Sequence, residues 1–264
     1  MQGRTYLGIE LGSTRIKAVL IDDSFSVIAS GSKQWENRFE NGCWTYSLDD
    51  IHGGIQACYK GLAENVKAQY GIYPETYGAM GISAMMHGYM AFDKNDKLLV
   101  PFRTWRNTMT AQAAGELTKL LGFNIPQRWS IAHLYQAVLN KEAHVPYIAY
   151  INTLAGYVHK RLTDRFEVGV GEASGIFPVE GIGYKKEYCE PTEKSLAEKG
   201  FDHKLKDILP AVRNAGEKGA VLTEEGAKFL DPEGHLKAGV PVCPPEGDAG
   251  TGMVATDSVL KKTG

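Results

Sequence analysis

Apolar and polar positions alternate through the first thirty residues. Thr5 to Glu10 reads as a short strand, Gly12-Ser13-Thr14 as a turn, and Arg15 to Asp22 as a second strand. In that second strand Ile16, Ala18 and Leu20 face one way and Val19 and Ile21 the other. Asp22-Asp23-Ser24 makes another turn, and Ser26 to Ser30 is a third strand. Three strands joined by tight turns, the second apolar on both faces, predict an antiparallel meander buried under helices.

The period then changes. Ile51, Ile55, Cys58, Leu62 and Val66 recur every three or four residues, so Leu48 to Tyr70 predicts an amphipathic helix that starts at Ser47 and stops at Gly71. Tyr77 to Met85 returns to strand character with no charge around Gly78-Ala-Met-Gly-Ile-Ser83, as a central strand should. Tyr89 to Phe92 and Leu98 to Phe102, either side of an Asp93-Lys-Asn-Asp96 turn, read as a hairpin. Thr108 to Ile151 is helical in composition, punctuated by Pro126 and Pro146, and Asn152 to Leu162 is a further helix. Residues 181–235 carry no evident chemistry, Val240 to Cys243 is a last short strand, and Asp248 opens a helix. This order of elements predicts one layered α/β domain without an internal linker.

Composition narrows the function. With 264 residues, 43% hydrophobic and 23% charged, the chain is ordinary globular material. A formal charge of −2 argues against a nucleic-acid or anionic-membrane surface, and the longest apolar runs are far too short to span a bilayer. No signal-peptide pattern opens the sequence, and Cys43, Cys58, Cys189 and Cys243 are scattered without metal spacing, so reduced thiols in a cytoplasmic protein are expected.

Four stretches carry candidate chemistry. In Gly8-Ile-Glu-Leu-Gly-Ser-Thr-Arg-Ile-Lys17 a carboxylate ends one strand, a Gly-Ser-Thr turn follows, and Lys17 lies on the next strand. Such a turn offers N–H groups and hydroxyls to phosphate, and Glu10 can hold Mg²⁺; a plain hairpin turn is the alternative. Ser83-Ala-Met-Met-His-Gly88 ends the uncharged strand, where open α/β sheets bind ligands, although a histidine hydrogen-bonded to backbone also fits. In Arg103-Thr-Trp-Arg-Asn107, Trp105 offers an apolar wall for a sugar face, with Arg106 and Asn107 as donors, or is simply a buried tryptophan. In Pro244-Pro-Glu-Gly-Asp-Ala-Gly-Thr-Gly252, Asp248 is either a helix N-cap or a base for a hydroxyl nucleophile. Gly169-Val-Gly-Glu-Ala-Ser-Gly175 lacks dinucleotide-loop spacing and opens no helical pattern.

Taken together and in this order, the four stretches resemble the FGGY family of carbohydrate kinases, whose fold is related to actin and hexokinase. Gly81-Ile-Ser-Ala-Met-Met-His-Gly88 and Arg103-Thr-Trp-Arg-Asn107 look most like the xylulokinase branch, and Leu154 to Thr163 and Glu172-Ala-Ser-Gly175 resemble later parts of the same lobe. Three positions depart from the family pattern: Glu10 stands for the usual Asp, Arg106-Asn107 for Asn-Asp, and Ala249 for a polar amide.

The resemblance implies a ribonuclease-H-like α/β domain with a mixed sheet whose first three strands are an antiparallel meander flanked by helices. It implies that residues 1–264 are the N-terminal, sugar-binding lobe of a two-lobe kinase, with the C-terminal nucleotide-binding lobe outside this chain. The implied activity is ATP-dependent phosphorylation of a ketopentose, D-xylulose first, by the intact enzyme, the isolated fragment being inactive. Another pentulose such as ribulose, a polyol, or a non-catalytic sugar-binding regulator are the alternatives. Implied roles are Asp248 as catalytic base, Met86, His87, Gly88, Trp105, Arg106 and Asp248 as sugar-binding, and Gly12, Ser13, Thr14 and Lys17 as phosphate-binding. Glu10 and Asp248 are the implied Mg²⁺ ligands. The expected partners are the sugar and the second lobe, with room for a homodimer.

Overall fold

A computed structural model describes residues 4–256 except residue 218. Its central sheet is built on β1 (Thr5–Leu11), β2 (Arg15–Asp22) and β3 (Val27–Gln34), which pair antiparallel in sequence order. This is the expected meander. Strand Ala79–Ala84 lies beside β1 in parallel, with Glu10 opposite Ser83. Beyond it, Pro241–Val242 and Glu246–Gly247 both pair parallel with that same strand. Mixed pairing with helices on one side is the actin-like α/β architecture anticipated above.

Helix α1 (Leu48–Tyr70) spans the predicted range because local chemistry fixes both ends. Ser47 accepts from the Asp50 N–H and the Asp50 carboxylate accepts in return from the Ser47 N–H, a reciprocal capping box. Gly71 closes the helix at φ +76°, a left-handed conformation that only glycine adopts without penalty. Ile51, Ile55, Cys58, Leu62 and Val66 are all buried, and with Leu7, Ile9, Leu11, Ile16, Ala18 and Leu20 they form the main core. Helix and sheet touch at Gly31: a Cβ there would overlap the Cys58 carbonyl and sit 2.6 Å from Leu62 N.

Three expectations need correction. The meander is covered on one face only. Leu7, Ile9, Ile16, Ala18 and Leu20 are buried, whereas Glu10, Val19 and Ile21 are part-exposed and Lys17 is exposed. The open face floors a cleft, and Gly8 and Gly81 leave open space above it. The expected hairpin over residues 89–102 is also incomplete. Strand Met90–Phe92 pairs with the distant Tyr150–Asn152, and the return segment contributes only isolated bridges at Leu98 and Arg103. Finally, Val170–Ala173 does form a short helix, inside the segment expected to open none.

A second buried cluster, around Tyr89, Leu117, Ile131, Leu134, Phe177 and Phe201, occupies the insertion between Tyr89 and Leu209. It fixes the loops that approach the ends of the parallel strands.

Candidate active site

The three parallel strands β1, Ala79–Ala84 and Glu246–Gly247 all end at the same edge of the sheet, in register at Glu10, Ser83 and Glu246. Ligands bind at the carboxyl ends of such strands. Just past those ends the chain places the Gly12 turn, Met86-His87 and Asp248, so residues spread over most of the sequence converge by topology alone.

Asp248 is the first residue of helix Asp248–Ala255, and Gly247 is the N-cap. The capping alternative for Asp248 is therefore incorrect. Its Oδ1 accepts the Met86 N–H at 3.3 Å. Thr251, one turn further on, brings its hydroxyl within 2.8 Å of Ser83 Oγ, tying the helix to the central strand. Asp248 also lines a cleft of about 530 Å³ together with Glu10, Lys17, Ser83, Cys243 and Thr251. Lys17 Nζ lies 3.4 Å from Glu10 Oε2, both side chains being about half exposed.

The Gly12-Ser13-Thr14 turn is held from behind. Trp35 Nε1 donates to the Gly12 carbonyl at 2.7 Å, the Tyr46 hydroxyl to the Ser13 carbonyl at 2.6 Å, and the Trp35 N–H to the Thr14 carbonyl at 3.2 Å. The two rings stack with centroids 4.1 Å apart. Gly12 spends its own N–H on the Arg15 carbonyl, and of the next two residues Ser13 is part-exposed and Thr14 exposed. Neither Trp35 nor Tyr46 stood out in the sequence, because aromatic residues that bond backbone carbonyls have no motif.

His87 and Gly88 adopt successive left-handed conformations, φ +68° and +94°. A non-glycine residue there is strained, a common feature of ligand sites. Burial, reinforced by the nearby Arg128 charge, holds the His87 imidazole down at about 4, so it is neutral near pH 7. It is a hydrogen-bonding group rather than a cation. Gly88 donates its N–H to the Arg128 carbonyl and accepts Ser130 Oγ through its own carbonyl, which makes it a shaping residue of the loop. Arg128 was missed because nothing in its sequence context separates it from a surface arginine.

Trp105 and Arg106 sit on the loop that pairs with Tyr89, two residues past His87. The Arg106 guanidinium lies 4.7 Å from the Trp44 ring centroid and 5.9 Å from that of Trp105. Asn107, a candidate donor to sugar, is buried and fully engaged, bonding Trp44 N and the carbonyls of Trp44 and Thr104. Among the described residues, no hydrogen bond or ring contact joins Trp105 or Arg106 to Met86, His87 or Asp248.

Two acidic residues outside the predicted set crowd the same corner. Glu246 accepts the Glu172 N–H at 3.1 Å, and a Cβ at Gly171 would lie 2.6 Å from its Oε2. Burial raises the Glu246 carboxyl above the usual range against the pull of the Glu172 and Gly171 N–H groups. Glu172 is wholly buried and pushed up to about 8, chiefly by burial, with the charges of Glu246 and Asp248 adding and the nearby Thr153 hydroxyl opposing.

A strand-end cleft with a carboxylate at the start of a helix, and a Gly-Ser-Thr turn just past the end of β1, is the geometry this fold sets up. The chain belongs to the FGGY family of carbohydrate kinases, matching its N-terminal domain over residues 5–255. It is 25% identical over 245 residues to the xylulose kinase of Haemophilus influenzae, covering 85% of this chain and 47% of that protein. Among solved structures it is similar to a xylulose kinase from Rhodospirillum rubrum (TM-score 0.74, 17% identity, 93% of this chain and 49% of that one). It is also similar to the Plasmodium falciparum glycerol kinase with ADP (TM-score 0.72, 14% identity, 96% and 50%). The chain thus spans about half the length, or less, of the curated relatives it matches.

Proposed function

We propose that this chain is the sugar-binding lobe of a two-lobe, ATP-dependent kinase that phosphorylates a hydroxyl of a ketopentose, D-xylulose first. The observation that carries the reading is the position of Asp248. One residue belongs at once to the Met86-His87 corner and to the cleft floored by Glu10 and Lys17. A sugar held at the corner would present a hydroxyl to Asp248 while a phosphate donor enters from the cleft.

In that arrangement the Asp248 carboxylate accepts the proton of the attacking hydroxyl and orients it. Neutral His87 and the Arg106 guanidinium supply hydrogen bonds to the remaining hydroxyls, and Trp105 an apolar face. The Ser13 and Thr14 hydroxyls and Lys17 meet the transferred phosphate. Because phosphoryl transfer passes through a loose transition state, positioning and charge neutralisation are the main demands on the protein.

Glu10 and Asp248 would hold Mg²⁺. Two carboxylates on one cleft, with the Ser83 and Thr251 hydroxyls beside them, form a hard-oxygen donor set suited to an ion that keeps waters and phosphate as its other ligands. When bound, the ion neutralises charge on the phosphates.

The chain's coverage of about half of its relatives supports a second lobe that supplies the nucleotide pocket. A coupled ADP-release screen of the two-lobe protein against pentuloses, hexuloses and polyols tests the reading. The expected result is highest kcat/KM for D-xylulose. Preference for another pentulose or a polyol would reassign the substrate, and sugar binding without ADP release would make the protein a regulator.

A further inference from the structure

Three buried polar groups without a hydrogen-bond partner among the described residues gather around one short stretch: the Glu172 carboxyl, the Tyr184 hydroxyl and His87 Nδ1. Glu172 is 0% exposed, and the Thr153 hydroxyl is near its carboxyl but short of hydrogen-bond geometry. A Cβ built at Gly247 would lie 3.0 Å from Glu172 Oε2 and 2.7 Å from Met86 Sδ. The carboxyl and the thioether therefore meet across the bare face of the residue that precedes Asp248. The Tyr184 ring meets Phe177, five residues beyond Glu172, edge-on at 6.1 Å between centroids, with its hydroxyl buried. The His87 ring packs on Gly175, three residues beyond Glu172.

Leaving a carboxyl unpaired in the interior is costly, and an apolar side chain of similar size would serve the fold as well or better. The mechanism above makes no use of Glu172. Its neighbours, however, are two of the residues expected to hold sugar. Met86, which shares the bare face of Gly247 with it, is unbranched and readily repacked.

Resting on the sugar-kinase reading, we propose that Glu172 is a specificity-determining residue. Met86 yields as the sugar enters, and the Glu172 carboxyl and Tyr184 hydroxyl pair with a sugar hydroxyl remote from the one phosphorylated. A buried carboxyl, with a buried phenol on the same stretch of chain, matches a group that both donates and accepts, which selects a neutral polyhydroxy substrate with a hydroxyl at that position. A site built around one hydroxyl discriminates strongly against analogues that lack or invert it.

The test uses the two-lobe kinase and its Glu172→Leu, Glu172→Gln and Tyr184→Phe variants. Thermal melting, calorimetric sugar binding, and kcat and KM for D-xylulose, D-ribulose and xylitol are measured, with KM for ATP. Glu172→Leu should hold or raise Tm, weaken binding of the preferred sugar by ~10-fold or more, and level the preference among sugars, with KM for ATP unchanged. Glu172→Gln, which keeps hydrogen-bonding capacity, should retain part of the preference, and Tyr184→Phe should lose part of it. Unchanged preference in Glu172→Leu overturns the inference, as does a lowered Tm with equal loss for every sugar. If Glu172→Leu does not fold, unchanged preference in both other variants overturns it equally. Wild-type protein that binds no neutral sugar sinks the kinase reading and this inference together. Wild type that binds, with variants that bind alike, sinks this inference alone.

Discussion

The carboxylate of Asp248 accepts the backbone N–H of Met86, 162 positions earlier in the chain, at 3.3 Å. The bond joins the start of the last described helix to the end of the central strand, and it fixes one oxygen of the carboxylate while the side chain still lines the cleft. Asn at 248 keeps an acceptor for Met86 and the same shape, but it cannot take a proton. In the two-lobe kinase, Asp248→Asn should lower kcat by about 10²–10⁴-fold while sugar affinity changes far less. Because Gly247, not Asp248, caps the helix, a near-normal kcat in this variant would leave Asp248 with no chemical role.

What could be read from the sequence was what local pattern dictates. Helix α1 was legible to the residue because a reciprocal cap and a left-handed glycine bracket a 3.6-residue stripe. The meander was legible because tight turns make its pairing local. Strand Met90–Phe92 was legible as a strand, but its main partner Tyr150–Asn152 lies some sixty residues away, and no nearby sequence encodes that pairing. The same limit applies to the site. Glu10, Met86, His87 and Asp248 sit in stretches whose chemistry can be read, and Glu172 in one recognised only by resemblance, whereas Tyr184, Trp35 and Arg128 matter only through neighbours that the fold brings to them.

Gly31 marks the closest approach of β3 to α1, and this contact predicts a stability effect remote from the site. A methyl group there would collide with backbone atoms of Cys58 and Leu62, which cannot rotate away as a flexible side chain could. Gly31→Ala should destabilise by at least the ~1–3 kcal/mol typical of overpacking. Urea unfolding of the variant checks this, and a midpoint equal to wild type would contradict the close approach.

Helix Asp248–Ala255 buries none of its residues, and Met253 and Val254 are 46% and 83% exposed. The two-lobe reading expects apolar surface near residues 248–264, of which 257–264 lie outside the described residues. In the two-lobe reading, this helix is covered by the second lobe, whose closure excludes water from the phosphates. The 264-residue chain alone should therefore show no ATP-dependent phosphorylation of D-xylulose above background, and the two-lobe protein should. A coupled ADP assay on both decides it, and turnover by the short chain would place the nucleotide site within these residues.

His133 gives the last expectation, on acid stability. Its ring is wholly buried with both nitrogens unpartnered, beside Tyr89, and burial, aided by the Arg103 charge, holds it down at about 3. The unfolded chain takes up that proton near pH 6.5, so between about 6.5 and 3 the unfolded state binds more protons than the folded one. Stability contributed in this way is present above pH 6.5 and is lost as pH falls, by about 1.4 kcal/mol per pH unit from this group. His87 acts in the same direction and His144 is also lowered by burial, although Glu142 beside His144 and Arg103 works the other way. His133→Phe removes one such group while keeping a ring against Tyr89. Between pH 6.5 and 4.5 the wild type should therefore lose roughly 2–3 kcal/mol more than the variant in urea titrations, whatever their difference at pH 8. Parallel losses over that range would mean that His133 takes up its proton in the folded state as readily as in the unfolded chain.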